Sequence, residues 1–170
     1  MTDDIQVIDN AIKIEPFTLL WQYARYSTIY MPYESTAYET SDNIYDTMFV
    51  KVLFNAWTYH KDPYVDENIH LIYPILDAIG AKALLRVRLH ITHATPEAEL
   101  SDPHLDSEGI PCKICCFYLN TNNGGTKFTE SGRIVRSVEN RAVTFPSELY
   151  HSAVNTTDTK FRYVLNINYF

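Results

Sequence analysis

Leu85-Arg86-Val87-Arg88-Leu89-His90-Ile91-Thr92 is the stretch at which the chain changes character. Its apolar residues Leu85, Val87, Leu89 and Ile91 alternate with Arg86, Arg88, His90 and Thr92, the period-two pattern of a β-strand that buries one face. Everything downstream reads as more short strands. Residues 113–120, 126–129, 133–138, 142–145, 149–154 and 161–168 are each bounded by clusters of Gly, Asn, Pro or Asp. Such even spacing implies a barrel or a two-sheet jelly roll.

Upstream the periodicity is helical. Ile69, Ile72, Leu76 and Ile79 recur at helical spacing, with Asp66 and Glu67 at the positive end of the dipole and Gly80 as a C-terminal stop. Residues 16–25 form a second helical pattern with Pro16 in its first turn, preceded by a strand within residues 5–14. Residues 48–57 are too uniformly apolar for periodicity to separate helix from strand. Residues 30–45, rich in Tyr, Ser, Thr and Asp, read as an irregular surface segment, a plain loop or a lid, in which Tyr33, Tyr38 and Tyr45 are candidates for a substrate entrance. The expected fold is mainly β: a jelly roll with flanking helices packed on one of its sheets. It is expected to form one domain over residues 1–170, with helical support over about 1–83 and the β core over about 84–170.

Composition agrees with one domain. A chain of 170 residues, 46% of them hydrophobic, can bury a single substantial core. A net charge of −7 with no Lys/Arg run offers no footprint for a phosphate backbone, so nucleic acid is not an expected partner. The start, Met1-Thr2-Asp3-Asp4, is acidic and is followed by no apolar stretch of signal-peptide or membrane-span length, so a cytoplasmic location is expected. Cys112, Cys115 and Cys116 have C-x-x-C spacing, but no further Cys or His follows nearby to complete a zinc site; buried cysteines in a strand fit better.

The chemistry lies in His104-Leu105-Asp106. On an extended segment the His and Asp side chains leave from one face and can grip one cation together. His151, on a later strand, is a candidate third ligand, and two imidazoles with one carboxylate suit a non-heme Fe(II) site with open positions. Against this, His104 could be a loop residue and His151 an ordinary half-buried strand histidine. His90 and His93 are weaker alternatives to His151, while His60 and His70 read as surface or helix residues. In Phe161–Phe170 alternation puts Phe161, Tyr163, Leu165 and Ile167 on one face and Arg162 with Val164, Asn166 and Asn168 on the other. Directed into a barrel, Arg162 would require an anion, and its planar fork matches a carboxylate; on an edge strand it would be an ordinary solvated arginine. Arg86 and Arg88 either face the site and meet an acidic substrate or, the favoured reading, are solvated.

His104-Leu105-Asp106, Phe117-Tyr118-Leu119-Asn120, Gly124-Gly125-Thr126-Lys127-Phe128, His151-Ser152 and Arg162-Tyr163 together resemble the ordered motifs of Fe(II)/2-oxoglutarate-dependent oxygenases, nearest the prolyl 4-hydroxylase-like branch. The resemblance covers roughly residues 84–170. It implies a double-stranded β-helix in which His104, Asp106 and His151 are metal ligands and catalytic residues. It also implies that Arg162 pairs with the distal carboxylate of 2-oxoglutarate and that Tyr118 places a hydroxyl on the same carboxylate. The implied reaction consumes 2-oxoglutarate and O2, releases succinate and CO2, and hydroxylates a protein side chain or a small molecule. Halogenating relatives leave the carboxylate position vacant, so Asp106 favours oxygenation. The nucleic-acid demethylase branch carries a second Arg where this chain has Asn168. Two alternatives are a non-catalytic jelly-roll binding or structural module and a cupin-like metal enzyme that does not use 2-oxoglutarate.

Overall fold

A computed structural model describes residues 4–27, 31–33, 48–56, 62–107 and 109–170, with 31–33 described by backbone only. Along the chain lie β1 (Gln6–Ile8), α1 (Ile14–Tyr26), β2 (Met31–Tyr33), β3 (Met48–Asn55) and β4 (Tyr64–Val65). A 3-10 turn (Ile69–Ile72), α2 (Tyr73–Ile79) and β5 (Leu84–His93) follow. The remainder is β6 (Lys113–Tyr118), β7 (Gly125–Phe128), β8 (Ile134–Arg136), β9 (Arg141–Pro146), β10 (His151–Val154) and β11 (Phe161–Tyr169). The major sheet runs β1-β9-β6-β11-β5-β3-β2, with β4 paired to β3, and the minor sheet runs β10-β7-β8. All pairings are antiparallel. This is the expected jelly roll.

Two apolar layers hold it together. On the outer face of the major sheet, Phe17, Leu20 and Ala24 of α1, one helical stripe, pack with Ile72 and Ile75 against Val87, Leu89, Phe117, Leu165 and Ile167. Between the sheets, Ile114, Tyr118, Val143, Phe145 and Val164 meet Phe128 and Val135 of the minor sheet. Helices therefore cover one face of one sheet, and the opposite face of β5 and β11 is left to look into the roll. The N-terminal segment is tied in through Asn140, whose side chain accepts from Ile12 N at 3.1 Å and donates to Ile12 O at 2.7 Å.

Three details refine the expectations. Residues 48–55 are a strand, because pairing with β5 satisfies a backbone that local sequence leaves undecided. The helix over 69–79 is split: Pro74, at the start of α2, has no N–H to continue the preceding turn, and α2 ends at Gly80 with φ 68°, a left-handed cap. A bulge between Asn168 and Tyr169 skips Leu85, which enters the layer between the sheets instead of sharing the face of Val87 and Leu89. The irregular segment, loop or lid, expected over 30–45 falls outside the described residues except at 31–33, whose backbone is strand β2; Tyr38, Tyr45 and His60 also lie outside them. No helix among the described residues is long and apolar enough to cross a membrane.

Candidate active site

His104 and His151 are brought together by backbone pairing. His104 N donates to His151 O at 3.0 Å and His151 N donates to His104 O at 3.2 Å, an antiparallel bridge that binds the segment after β5 to the first residue of β10. The rings lie 4.7 Å apart between centroids. Asp106, two residues on, turns to the same side, with its Oδ2 3.4 Å from His151 Nε2. One donor atom from each of the three residues falls within 4.8 Å of the others.

Hydrogen bonding orients these donors. His104 Nδ1 lies 2.9 Å from Asp102 O and His151 Nδ1 lies 3.0 Å from Leu149 O. A carbonyl accepts only, so each Nδ1 carries the proton and each Nε2 can present a lone pair to a cation. Asp106 is fixed from the other side: Asn166 Nδ2 donates to Oδ2 at 2.8 Å, Arg86 Nη2 donates to the Asp106 carbonyl at 2.8 Å and stands 3.6 Å from Oδ1. Burial pushes the Asp106 pKa up, but the hydrogen bond and charge of His151, the charge of His104 and the Asn166 amide outweigh it and hold the carboxyl well below its usual range. Burial likewise opposes protonation of His151, and Asp106 overrides it, raising the imidazole pKa. The Asp106 carboxylate is thus held ionised, as a ligand to a cation must be. Metal–donor bonds of about 2.1 Å place adjacent donors about 3 Å apart; the His151–Asp106 pair at 3.4 Å is near that spacing, and the full set, within 4.8 Å, would draw in around an ion.

Arg162 sits across a cavity of about 210 Å³ whose wall it shares with all three of these residues. It is 5% exposed; its Nε donates to Ser137 Oγ at 3.1 Å and its Nη2 to Gly125 O at 2.9 Å, and no carboxylate pairs with it among the described residues. Two backbone approaches make room for it. A Cβ on Gly124 would stand 2.6 Å from Val154 O and 3.2 Å from Arg162 Cδ, and one on Gly125 would collide with Val135 O. Buried guanidinium groups are costly unless an anion meets them, which gives this wall the character of a carboxylate receptor.

Tyr118 is fully buried beneath Arg162, whose Cζ is 5.5 Å from the ring centroid. Its hydroxyl donates to Thr126 Oγ1 at 2.8 Å, with Val135 O at 3.3 Å, and burial pushes its pKa up to about 12. In this arrangement the hydroxyl is turned toward the minor sheet, and it is Thr126 that lines the cavity.

One expectation is overturned. Arg86 and Arg88 do not belong to a solvated face: with His90 and Thr92 they line the cavity, because the helices take the apolar face of β5 and leave the polar face inside. The contribution of Asn166 and Asn168 to holding Asp106 was not anticipated either; Asn168 Nδ2 lies 3.4 Å from the Asp106 carbonyl. Their place on the Arg162 face of β11 was the available signal. His93 is on the opposite face, between the rings of Phe49 and Phe161, and His70 is exposed. Neither joins the cluster. Cys112, Cys115 and Cys116 are free and buried, and burial lifts the Cys116 thiol to about 12.

No protein-family model matches the sequence, and no curated protein matches it. Solved structures do. A prolyl hydroxylase from Trichoplax adhaerens, in complex with a hypoxia inducible factor oxygen degradation domain peptide fragment, superposes with a TM-score of 0.70 at 12% identity, covering 99% of this chain and 84% of that one. An oxidoreductase of the 2OG-Fe(II) oxygenase family from Burkholderia pseudomallei gives 0.70 at 13%, with the same coverage. The alpha ketoglutarate dependent epimerase SnoN from nogalamycin biosynthesis gives 0.67 at 11%, covering 99% and 78%. The chain thus has the double-stranded β-helix fold of the prolyl hydroxylases and 2OG-Fe(II) oxygenases.

Proposed function

We propose that this protein is an Fe(II)- and 2-oxoglutarate-dependent dioxygenase, a single catalytic domain that hydroxylates a peptide side chain or a small molecule in the cytoplasm, without nucleic acid as substrate. One observation carries the reading: His104, Asp106 and His151 converge in a cavity whose facing wall is a buried arginine with no carboxylate partner among the described residues. His104 Nε2, His151 Nε2 and an Asp106 oxygen would hold the metal. When bound, Fe(II) with 2-oxoglutarate and O2 supplies oxidative decarboxylation to succinate and CO2, coupled to oxidation of the substrate.

The chain's own residues do the rest. The Nδ1–H bonds to Asp102 O and Leu149 O keep both rings aimed, and Asn166 with Arg86 keeps the Asp106 carboxylate fixed. Arg162, steadied by Ser137 and Gly125, presents its remaining N–H donors to the distal carboxylate of the cosubstrate. Tyr118 supports it from below, packing its ring against the guanidinium. A peptide as substrate is supported by the peptide held in the Trichoplax structure, and a small one by the size of the cavity. The test is spectroscopic. Anaerobic Fe(II) and 2-oxoglutarate together should produce the visible charge-transfer band of the chelate; a folded protein that binds neither would support a binding module, and metal binding indifferent to 2-oxoglutarate would support a cupin-like enzyme.

A further inference from the structure

Two threonine hydroxyls flank Arg162 on the cavity wall, one from each sheet. Thr92 of β5 stands directly opposite Arg162 of β11 in register, and directly opposed residues of an antiparallel pair carry their side chains on the same face. Thr126 of β7 follows Gly125, whose carbonyl accepts from Arg162 Nη2 at 2.9 Å. Arg162, Thr92 and Thr126 all line the cavity, whereas Tyr118 lies beneath that wall.

Each hydroxyl keeps a hydrogen to give. Thr92 Oγ1 is buried with no hydrogen-bond partner among the described residues. Buried polar groups in native proteins are nearly always satisfied, so an unpartnered hydroxyl beside a buried guanidinium marks a place for a ligand acceptor. Thr126 Oγ1 is itself an acceptor: Tyr118 donates to it at 2.8 Å, the shorter of the two contacts of that phenol, the other being 3.3 Å to Val135 O. Thr126 also meets Cys116, which burial keeps as a thiol by lifting its pKa to about 12. A thiol sulfur is a weak acceptor and cedes the Thr126 hydrogen to a carboxylate.

We infer that Thr92 and Thr126, on either side of the Arg162 fork, are the hydroxyl donors to the distal carboxylate of 2-oxoglutarate in this protein, and that Tyr118 acts one step back as a positioning residue, donating to Thr126 and so aiming its hydroxyl into the cavity. This rests on the oxygenase reading and departs from the role that the resemblance gives Tyr118. A carboxylate has about four lone-pair sites, more than one fork fills. Calorimetry of 2-oxoglutarate binding to the Mn(II)-loaded protein tests it, with Val and Ser placed in turn at each threonine. Val keeps the shape and removes the hydroxyl; Ser keeps the hydroxyl and removes the methyl. Thr92→Val and Thr126→Val should each weaken 2-oxoglutarate by about tenfold or more at unchanged Mn(II) affinity, while the Ser variants stay within about threefold of the unsubstituted protein. Tyr118→Phe should cost less than Thr126→Val. Without ligand, Thr92→Val should melt no lower than the unsubstituted protein, because it takes away a buried hydroxyl that has no partner. If Thr126→Val fails to fold because the Tyr118 hydroxyl is stranded, the double variant Tyr118→Phe/Thr126→Val removes both partners and is read in its place. The inference is overturned if the Val variants bind 2-oxoglutarate undiminished, if Ser costs as much as Val, or if Tyr118→Phe costs more than Thr126→Val. A lowered melting temperature of ligand-free Thr92→Val would remove Thr92 from the role. Unsubstituted protein that takes up Mn(II) and then ignores 2-oxoglutarate would instead bring down the oxygenase reading, and this inference with it.

Discussion

Replacing Arg162 by Met isolates the cosubstrate contact from the metal. The methionine keeps most of the hydrophobic stem over Tyr118 but removes the guanidinium, two of whose N–H groups go to Ser137 and Gly125 while the others are available to a ligand carboxylate. A hydrogen bond to a charged group contributes about 1.5–3 kcal/mol, so losing the fork should weaken 2-oxoglutarate by about 2 kcal/mol or more, roughly 30-fold. Thermal shift reads this directly. Ligand at about 100 times its Kd stabilises the folded state by about 2.7 kcal/mol, about 5–10 °C for a domain of this size. At the same concentration the variant would stand only about threefold above its own Kd, and the shift should fall to about a third. With Mn(II) as a redox-silent metal, the metal-only shift should be the same in both proteins, since Arg162 makes no contact with His104, Asp106 or His151 among its hydrogen bonds. An undiminished 2-oxoglutarate shift in folded Arg162→Met protein would refute the carboxylate-receptor argument.

Asp106→Ala should abolish the Mn(II)-dependent rise in Tm and metal retention on desalting, because it removes the one carboxylate of the cluster and leaves the Asn166 amide without its acceptor; retention at the wild-type level would dismiss the triad. Gly125→Ala should cost about 1–3 kcal/mol in urea denaturation, since the added methyl must displace Val135 O and the backbone of β8; a neutral result would show that the β7–β8 pair yields easily. Asp9 accepts from Arg141 Nε at 2.5 Å and from Nη2 at 3.0 Å, and the Arg141 hydrogen bonds hold its pKa below the ordinary carboxylate value. The stability this pair contributes is therefore present above about pH 4 and is lost as pH falls through the lowered folded-state pKa. Asp9 is more than half exposed, so Arg141→Gln should cost less than about 1 kcal/mol at pH 7 and nothing extra near pH 2; a pH-independent difference would assign the cost to packing instead.

Strands were the legible part of this chain. Alternation and turn residues located β6 to β11 to within about three residues at each end, because each strand of a two-layer fold must separate an apolar from a polar face. His104, Asp106 and His151 were legible as a donor set, although only the fold could show that a β-bridge brings His104 and His151 side by side. What local sequence could not supply was which face of β5 meets solvent. An arginine-bearing face usually points to water, but here the helices occupy the other side, and Arg86, Arg88 and His90 go inward. The same global constraint decided β3, whose uniform apolar run carries no period of its own, and Leu85, displaced by a bulge set by its partner strand. Tyr118 shows another limit: the resemblance implies a hydroxyl on the cosubstrate carboxylate, whereas packing between the sheets turns that hydroxyl to Thr126.

The bridge between His104 and His151 also governs how tightly an ion can be kept. Because the two imidazoles are clipped by a reciprocal pair of amide bonds, most of the conformational entropy of gathering them is settled when the chain folds, not when the ion arrives. The clip joins a loop to β10, which ends the three-stranded sheet and has β7 as its partner there. It is not the only link, since Leu100 bridges Val154, Ser101 N donates to Ala153 O at 3.0 Å and Asn155 N donates to Glu99 O at 2.9 Å. Residues 99–104 thus run along the side of β10 away from β7, and parting the two imidazoles would mean peeling back a row of amide bonds rather than a lone contact.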